Sequence, residues 1–132
     1  MNIDTHLEIL KETFLTIELC IERGIENHQR TIGFHTSLGS VEMLEAFLHK
    51  KNLLSSGARM NHTWMKSKKR INEKIPFDFP RKEEIVDLLY YIEKNRDELC
   101  YGKKVASSKT EEQIEHFNRL REIFREVGLN EI

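Results

Sequence analysis

Proline and glycine are scarce in this chain, 2 and 6 residues among 132. So few breakers exclude a fold of many short strands and tight turns and leave room for long helices. Cysteine is too rare for a disulfide framework. Cys20 and Cys100 both fall on apolar helical stripes and read as small buried thiols of a reducing compartment. No apolar run approaches the roughly 20 residues that span a bilayer. No basic segment followed by an apolar run opens the sequence, so no secretory leader is expected and the cytoplasm is the default location. An excess of one charge is lacking too. Lys plus Arg number 21 and Asp plus Glu 22, a net charge of −1. No whole-molecule field draws nucleic acid, so such a partner would have to be held by a local patch.

What is present is helical periodicity over nearly the whole length, and the length suits one domain, residues 1–132. A first helix is expected from about Asp4 to Arg23, with Leu7, Leu10, Phe14, Ile17 and Ile21 inward. A second, about Arg30 to Asn52, turns Phe34, Leu38, Val41, Leu44, Phe47 and Leu48 inward, and carries small residues at Gly33, Ser37, Gly39 and Ser40. Ser55-Ser56-Gly57 reads as a turn. Asn61 caps a short helix to about Glu73. Pro76 and Pro80 bracket a connector, with Pro80 at the first position of a fourth helix that runs to about Cys100 and ends on Gly102. Ser108-Lys109-Thr110-Glu111 forms a capping box for a last helix to about Val127. Its inward stripe is Ile114, Phe117, Leu120, Phe124 and Val127. The fold class is therefore all-α, an up-and-down bundle of four long helices plus a short one.

One residue breaks the apolar pattern of the fourth helix. Ile85, Leu88, Leu89, Ile92, Leu99 and Cys100 make its stripe, and the same spacing places Arg96 on it. A guanidinium keeps its charge, so on a packed face it needs an anionic or hydrogen-bonding partner. That partner is either a carboxylate such as Glu42 or Glu45, with Glu42 favoured by its apolar neighbours, or the phosphate of a ligand. Tyr101 lies just beyond and can stack on a base or donate a hydrogen bond, and Lys94, Lys103 and Lys104 add positive potential.

Asn95-Arg96, Leu99 and Tyr101-Gly102 at the end of the penultimate long helix resemble the motif of the HEPN superfamily, and helix order and lengths look similar over about residues 5–127. In that superfamily the motif is Arg, four to six residues, then His. Many members are metal-independent RNases, often toxins or defence proteins. Others are non-catalytic partners of nucleotidyltransferases or RNA-binding modules, and dimers bring two motifs into one cleft. The resemblance thus implies a homodimer, RNA or a nucleotide as ligand, a nucleotidyltransferase as alternative partner, and no cofactor. It makes Arg96 and Tyr101 the catalytic candidates, with Asn95, Glu42, His35 and Lys103 around them. Tyr101 stands where the family has histidine. With a reference pKa near ~10 against ~6.5, a tyrosine is a poor base at neutral pH, which supports the cleft more than the nuclease reaction.

Other patterns are weaker. Arg23 to His28 and Arg30 to His35 repeat the Arg-His spacing away from the motif's place and read as coincidence, although His35 could face Arg96 and supply the missing imidazole. His28, His35, Glu42 and His49 recur every seven residues. Seven residues span about 10.5 Å of helix, too far for neighbours to share one ion, so no metal site is expected. Trp64 to Arg70 is the one strong basic run, a solvated helix face or a strand-binding surface. Of Tyr90 and Tyr91, one is expected in the core and the other exposed, where it would suit a dimer interface.

Overall fold

A computed structural model describes residues 2–55 and 57–132. Every regular element among them is helical. The order is α1 (Ile3–Arg23), a 3-10 turn (Ile25–Asn27), α2 (Gln29–Lys50), a second 3-10 turn (His62–Lys66), α3 (Lys68–Lys74), α4 (Lys82–Tyr101) and α5 (Ser107–Glu126). Helix α1 starts where the Asn2 side chain accepts from the Thr5 N–H. It stops at Gly24, whose φ of 104° suits a residue without Cβ.

Helix directions follow from which ends meet. His6 of α1 reaches Glu42 and His49, late in α2. Gln29 and Ser37, early in α2, bond Leu99 and Glu93 of α4. Lys109, early in α5, pairs with Glu98, late in α4. The four long helices therefore run alternately up and down, and α2 packs against all three others.

The core gathers Leu10, Phe14, Leu44, Phe47, Leu89, Ile92, Phe117 and Phe124, with Phe47 against Phe124 and Phe14 against Phe117. Burial of such side chains stabilises by roughly 1.5–3 kcal/mol each. Helix α2 is central, and every residue from Gly39 to Leu48 is buried. Its small residues are contact points. A Cβ on Gly33 would lie 2.8 Å from Leu99 Cβ, and one on Gly39 would lie 2.9 Å from both Phe117 and Thr13.

The structure departs from the expected pattern in several places. Leu38 is 50% exposed and Ile21 is also exposed, whereas the polar His6, Thr13 and Gln113 are buried. The small-residue face of α2 is the one its neighbours approach, which leaves Leu38 outside. The expected helix from about His62 to Glu73 is two pieces: Asn61 caps the 3-10 turn and Ser67 caps α3. Pro80 precedes α4 rather than opening it. The cap is Arg81 at φ 61°, a left-handed residue clamped by Glu84 and Glu126. Gly102 ends α4 as expected. The capping box does not form, because Gln29 Oε1 takes the Val105 N–H at 2.9 Å and α5 begins at Ser107. The expected Ser55–Gly57 turn includes Ser56, which lies outside the described residues. Cys20 and Cys100 are free and buried, and burial raises both thiol pKa values. No helix among the described residues is long and apolar enough to cross a membrane.

Candidate functional site

Arg96 sits on the α4 face turned toward α2 and is 8% exposed. Its guanidinium carbon lies 5.1 Å from the Phe34 ring centre and 5.8 Å from that of Tyr101. The two rings meet edge to face at 5.7 Å. Neither Glu42 nor Glu45 is its partner. Its one carboxylate neighbour among the described residues is the exposed Asp97, at 3.7 Å. Arg96 Nε is buried and has no hydrogen-bond partner among the described residues. Aromatic faces attract a cation but do not accept its in-plane N–H groups, so the fork keeps donor capacity. Tyr101 is 66% exposed.

The other expected site residues divide. Lys103 is exposed beside Tyr101, and its backbone oxygen is held by Gln29. Asn95 turns away, toward Gln113 of α5 at 3.4 Å. Glu42 belongs to another cluster. His35 lines a cleft of about 750 Å³ with Leu38, Glu42, Glu45, Arg59 and His62. In the basic run Lys66 reaches Asp97 and Lys68 reaches Asp87, while Lys69 and Arg70 are exposed, and Lys74 beyond the run lies over Trp64. Lys66, through Asp97, links that run to the Arg96 end of α4. Tyr90 is half-buried and Tyr91 exposed, as expected.

Two polar networks escape sequence spacing because their partners lie on different elements. The first centres on Glu93, one turn before Arg96 and 3% exposed. It accepts from Ser37 Oγ at 3.0 Å and from His62 Nδ1 at 2.9 Å. With Nδ1 donating to a carboxylate, neutral His62 keeps Nε2 as an acceptor on the cleft wall.

The second network is a relay. His6, fully buried, meets Glu42 Oε1 through Nδ1 at 2.5 Å and His49 Nδ1 through Nε2 at 2.7 Å. His49 Nε2 lies 3.1 Å from the Ser55 carbonyl oxygen. That oxygen only accepts, so His49 Nε2 carries a proton. Each of the three hydrogen bonds then holds one proton, one more than two neutral imidazoles and a carboxylate contain. Glu45, one turn from Glu42, is 1% exposed and accepts from the Met60 N–H at 2.6 Å and from Arg59 Nε at 3.1 Å. One ligand atom each from His6, Glu42 and Glu45 can be chosen within 4.8 Å of the others. His6 thus spans the gap between Glu42 and His49 that α2 leaves open.

No protein family, characterised protein or solved structure matches the chain.

Proposed function

We propose that this protein is a HEPN-like helical module that binds the phosphate of single-stranded RNA or of a nucleotide at Arg96, with Phe34 and Tyr101 as the adjoining stacking surface. The observation that carries this reading is a guanidinium nine-tenths buried between two aromatic rings, with Nε unpartnered and neither Glu42 nor Glu45 paired with it. A purely structural arginine on a packed face would be held by one of those carboxylates. Phosphate offers acceptors matched to the fork, and a base offers a π-face to Tyr101. Lys66 and Lys103 add cationic potential.

An RNase step would need one further group, His62, which meets this helix through Glu93, one turn before Arg96. His62 Nε2, oriented through Nδ1 by Glu93, takes the proton of a ribose 2′-hydroxyl as that oxygen attacks the adjacent phosphorus. Arg96 stabilises the developing negative charge, and the Tyr101 hydroxyl protonates the departing 5′-oxygen. In this reading His62, rather than His35, stands in for the family's motif histidine. A second copy of the chain would bury the exposed Tyr101 and Leu38 and bring two such sites together.

The test is binding and cleavage of a mixed-sequence single-stranded RNA in EDTA, with wild type, Arg96→Ala, Tyr101→Phe and His62→Ala. The reading predicts binding weakened at least about tenfold by Arg96→Ala, the loss expected for a charge-assisted hydrogen bond. It also predicts cleavage lost in His62→Ala with binding kept. No RNA or nucleotide binding by the wild type would overturn the reading and move Arg96 and Tyr101 to a protein interface, the role of a non-enzymatic nucleotidyltransferase partner.

A further inference from the structure

We propose that His6, Glu42 and Glu45 form a three-ligand site for a divalent transition-metal cation on the floor of the cleft, with the remaining coordination positions facing solvent. The site is independent of the Arg96 reading. Its ligands come from α1 and α2, and of the three only Glu42 is among the residues the resemblance singles out, there as a neighbour of Arg96 and not as a metal ligand.

Three observations converge. The first is the donor set: one imidazole and two carboxylates, all buried, with ligand atoms within 4.8 Å of one another. Bonds of about 2.0–2.2 Å from a central ion to nitrogen and oxygen ligands place those ligands roughly 3–4 Å apart, so only small side-chain adjustment is needed. The second is unused capacity. Glu42 is 8% exposed and lines the cleft, and its Oε2 has no hydrogen-bond partner among the described residues. Glu45 accepts from Arg59 and Met60, yet two carboxylate oxygens offer about four acceptor positions. The Arg59 side chain is 57% exposed, so water screens its charge.

The third is the relay. A cation on His6 Nδ1 and Glu42 replaces the one proton they share and leaves the rest of the chain intact. His6 Nε2–H then donates to His49 Nδ1, and His49 Nε2–H donates to the Ser55 carbonyl. This is the outer shell that metal-bound histidines use to fix tautomer and ring orientation. Three protein ligands and an open cleft side match the pattern of sites that keep a position for water or substrate. Nitrogen and oxygen donors without thiolate suit zinc or manganese, and two carboxylates balance a divalent charge.

The experiment is titration of the metal-stripped protein with zinc chloride by calorimetry, in parallel on wild type, His6→Gln, Glu42→Gln, His49→Ala, His28→Gln and Arg96→Ala, each checked for folding by circular dichroism. His28 bonds the Gly24 carbonyl, far along the chain from the cluster, and controls for adventitious histidine binding. The proposal predicts one equivalent of zinc on wild type, His28→Gln and Arg96→Ala. Affinity falls at least about 100-fold in His6→Gln and Glu42→Gln, and about 10–100-fold in His49→Ala, the loss usual for an outer-shell partner. Should His6→Gln not fold, Glu42→Gln carries the test alone, since glutamine keeps the shape and can still bond His6. Absence of stoichiometric zinc on folded wild type overturns the proposal, as does a Glu42→Gln affinity within about threefold of wild type. Loss of zinc in Glu42→Gln with RNA binding unchanged, or the reverse pattern in Arg96→Ala, separates the two sites.

Discussion

Arg96 shows how one residue's surroundings decide its role. The charge is built into the sequence, but its partner is not. Glu42 and Glu45 stand as candidate counter-charges until His6 and Arg59 are seen to occupy them. Lysine at 96 would keep the charge but lose the planar fork and its stacking between Phe34 and Tyr101. Arg96→Lys is therefore expected to fold and yet recover less than half of the RNA-binding free energy that Arg96→Ala removes, read by fluorescence polarisation. Gln113 is the structural counterpart. It is fully buried and donates to the Ile92 carbonyl at 3.0 Å and to Thr36 Oγ1 at 3.1 Å. Gln113→Ala removes both hydrogen bonds, and the one it accepts from Asn95, and opens a void. The expected loss is about 2–4 kcal/mol in chemical denaturation, without effect on zinc binding.

At the scale of elements, α2 carries the fold and explains what sequence could and could not reveal. Its helical nature was legible, as were most inward residues of α4 and α5, because 3–4 spacing and long unbroken stretches leave little choice. Which face of α2 is buried was not legible from apolar residues. Three helices pack on α2, and close approach at Gly33 and Gly39 matters more than Leu38. Gly33→Ala is expected to cost about 1–3 kcal/mol, since its methyl would press on Leu99 and Cys100 where α2 meets α4. Thermal unfolding reads this directly. The start of α4 gives a pH signature. The Arg81 hydrogen bond, ahead of the charges of Arg81 and Arg119, lowers the Glu84 carboxyl pKa. A depressed folded-state pKa stabilises above the unfolded-state carboxylate pKa and loses that contribution as pH falls through the folded value. The Tm of Glu84→Gln should therefore lie below wild type at pH 7, and the gap should close as pH falls through the depressed folded-state value. The pair is exposed, so molar salt should shrink the pH 7 difference.

Across the whole molecule, the polar groups of both candidate sites lie where the closing of the bundle places them. His6 meets partners 36 and 43 positions away, and His62 meets Glu93 across 31. No local spacing announces such pairs. A histidine and a glutamate on separate helices look like solvated polar residues until the bundle closes. The seven-residue repeat on α2 was legible and is too widely spaced for a shared ion along one helix; only its Glu42 enters the proposed site, with Glu45 one turn on and His6 from α1. Arg96 was legible because it interrupts an apolar stripe within a single helix. A dimer that covers Tyr101 and Leu38 should dissociate on Leu38→Glu, with light scattering falling from twice the chain mass to once. RNA affinity should fall with it if two motifs share one strand.

The most direct measurement is the affinity of a fluorescent single-stranded RNA for wild type and Arg96→Ala, in EDTA, across a range of salt. The predicted result is wild-type binding that weakens with salt, and at least about tenfold weaker binding with a shallower salt slope in Arg96→Ala. The slope counts the phosphates that the protein neutralises, and alanine at 96 neutralises one fewer, so fewer counterions are released. Equal affinity and equal salt slope for the two folded proteins would contradict a phosphate-binding Arg96.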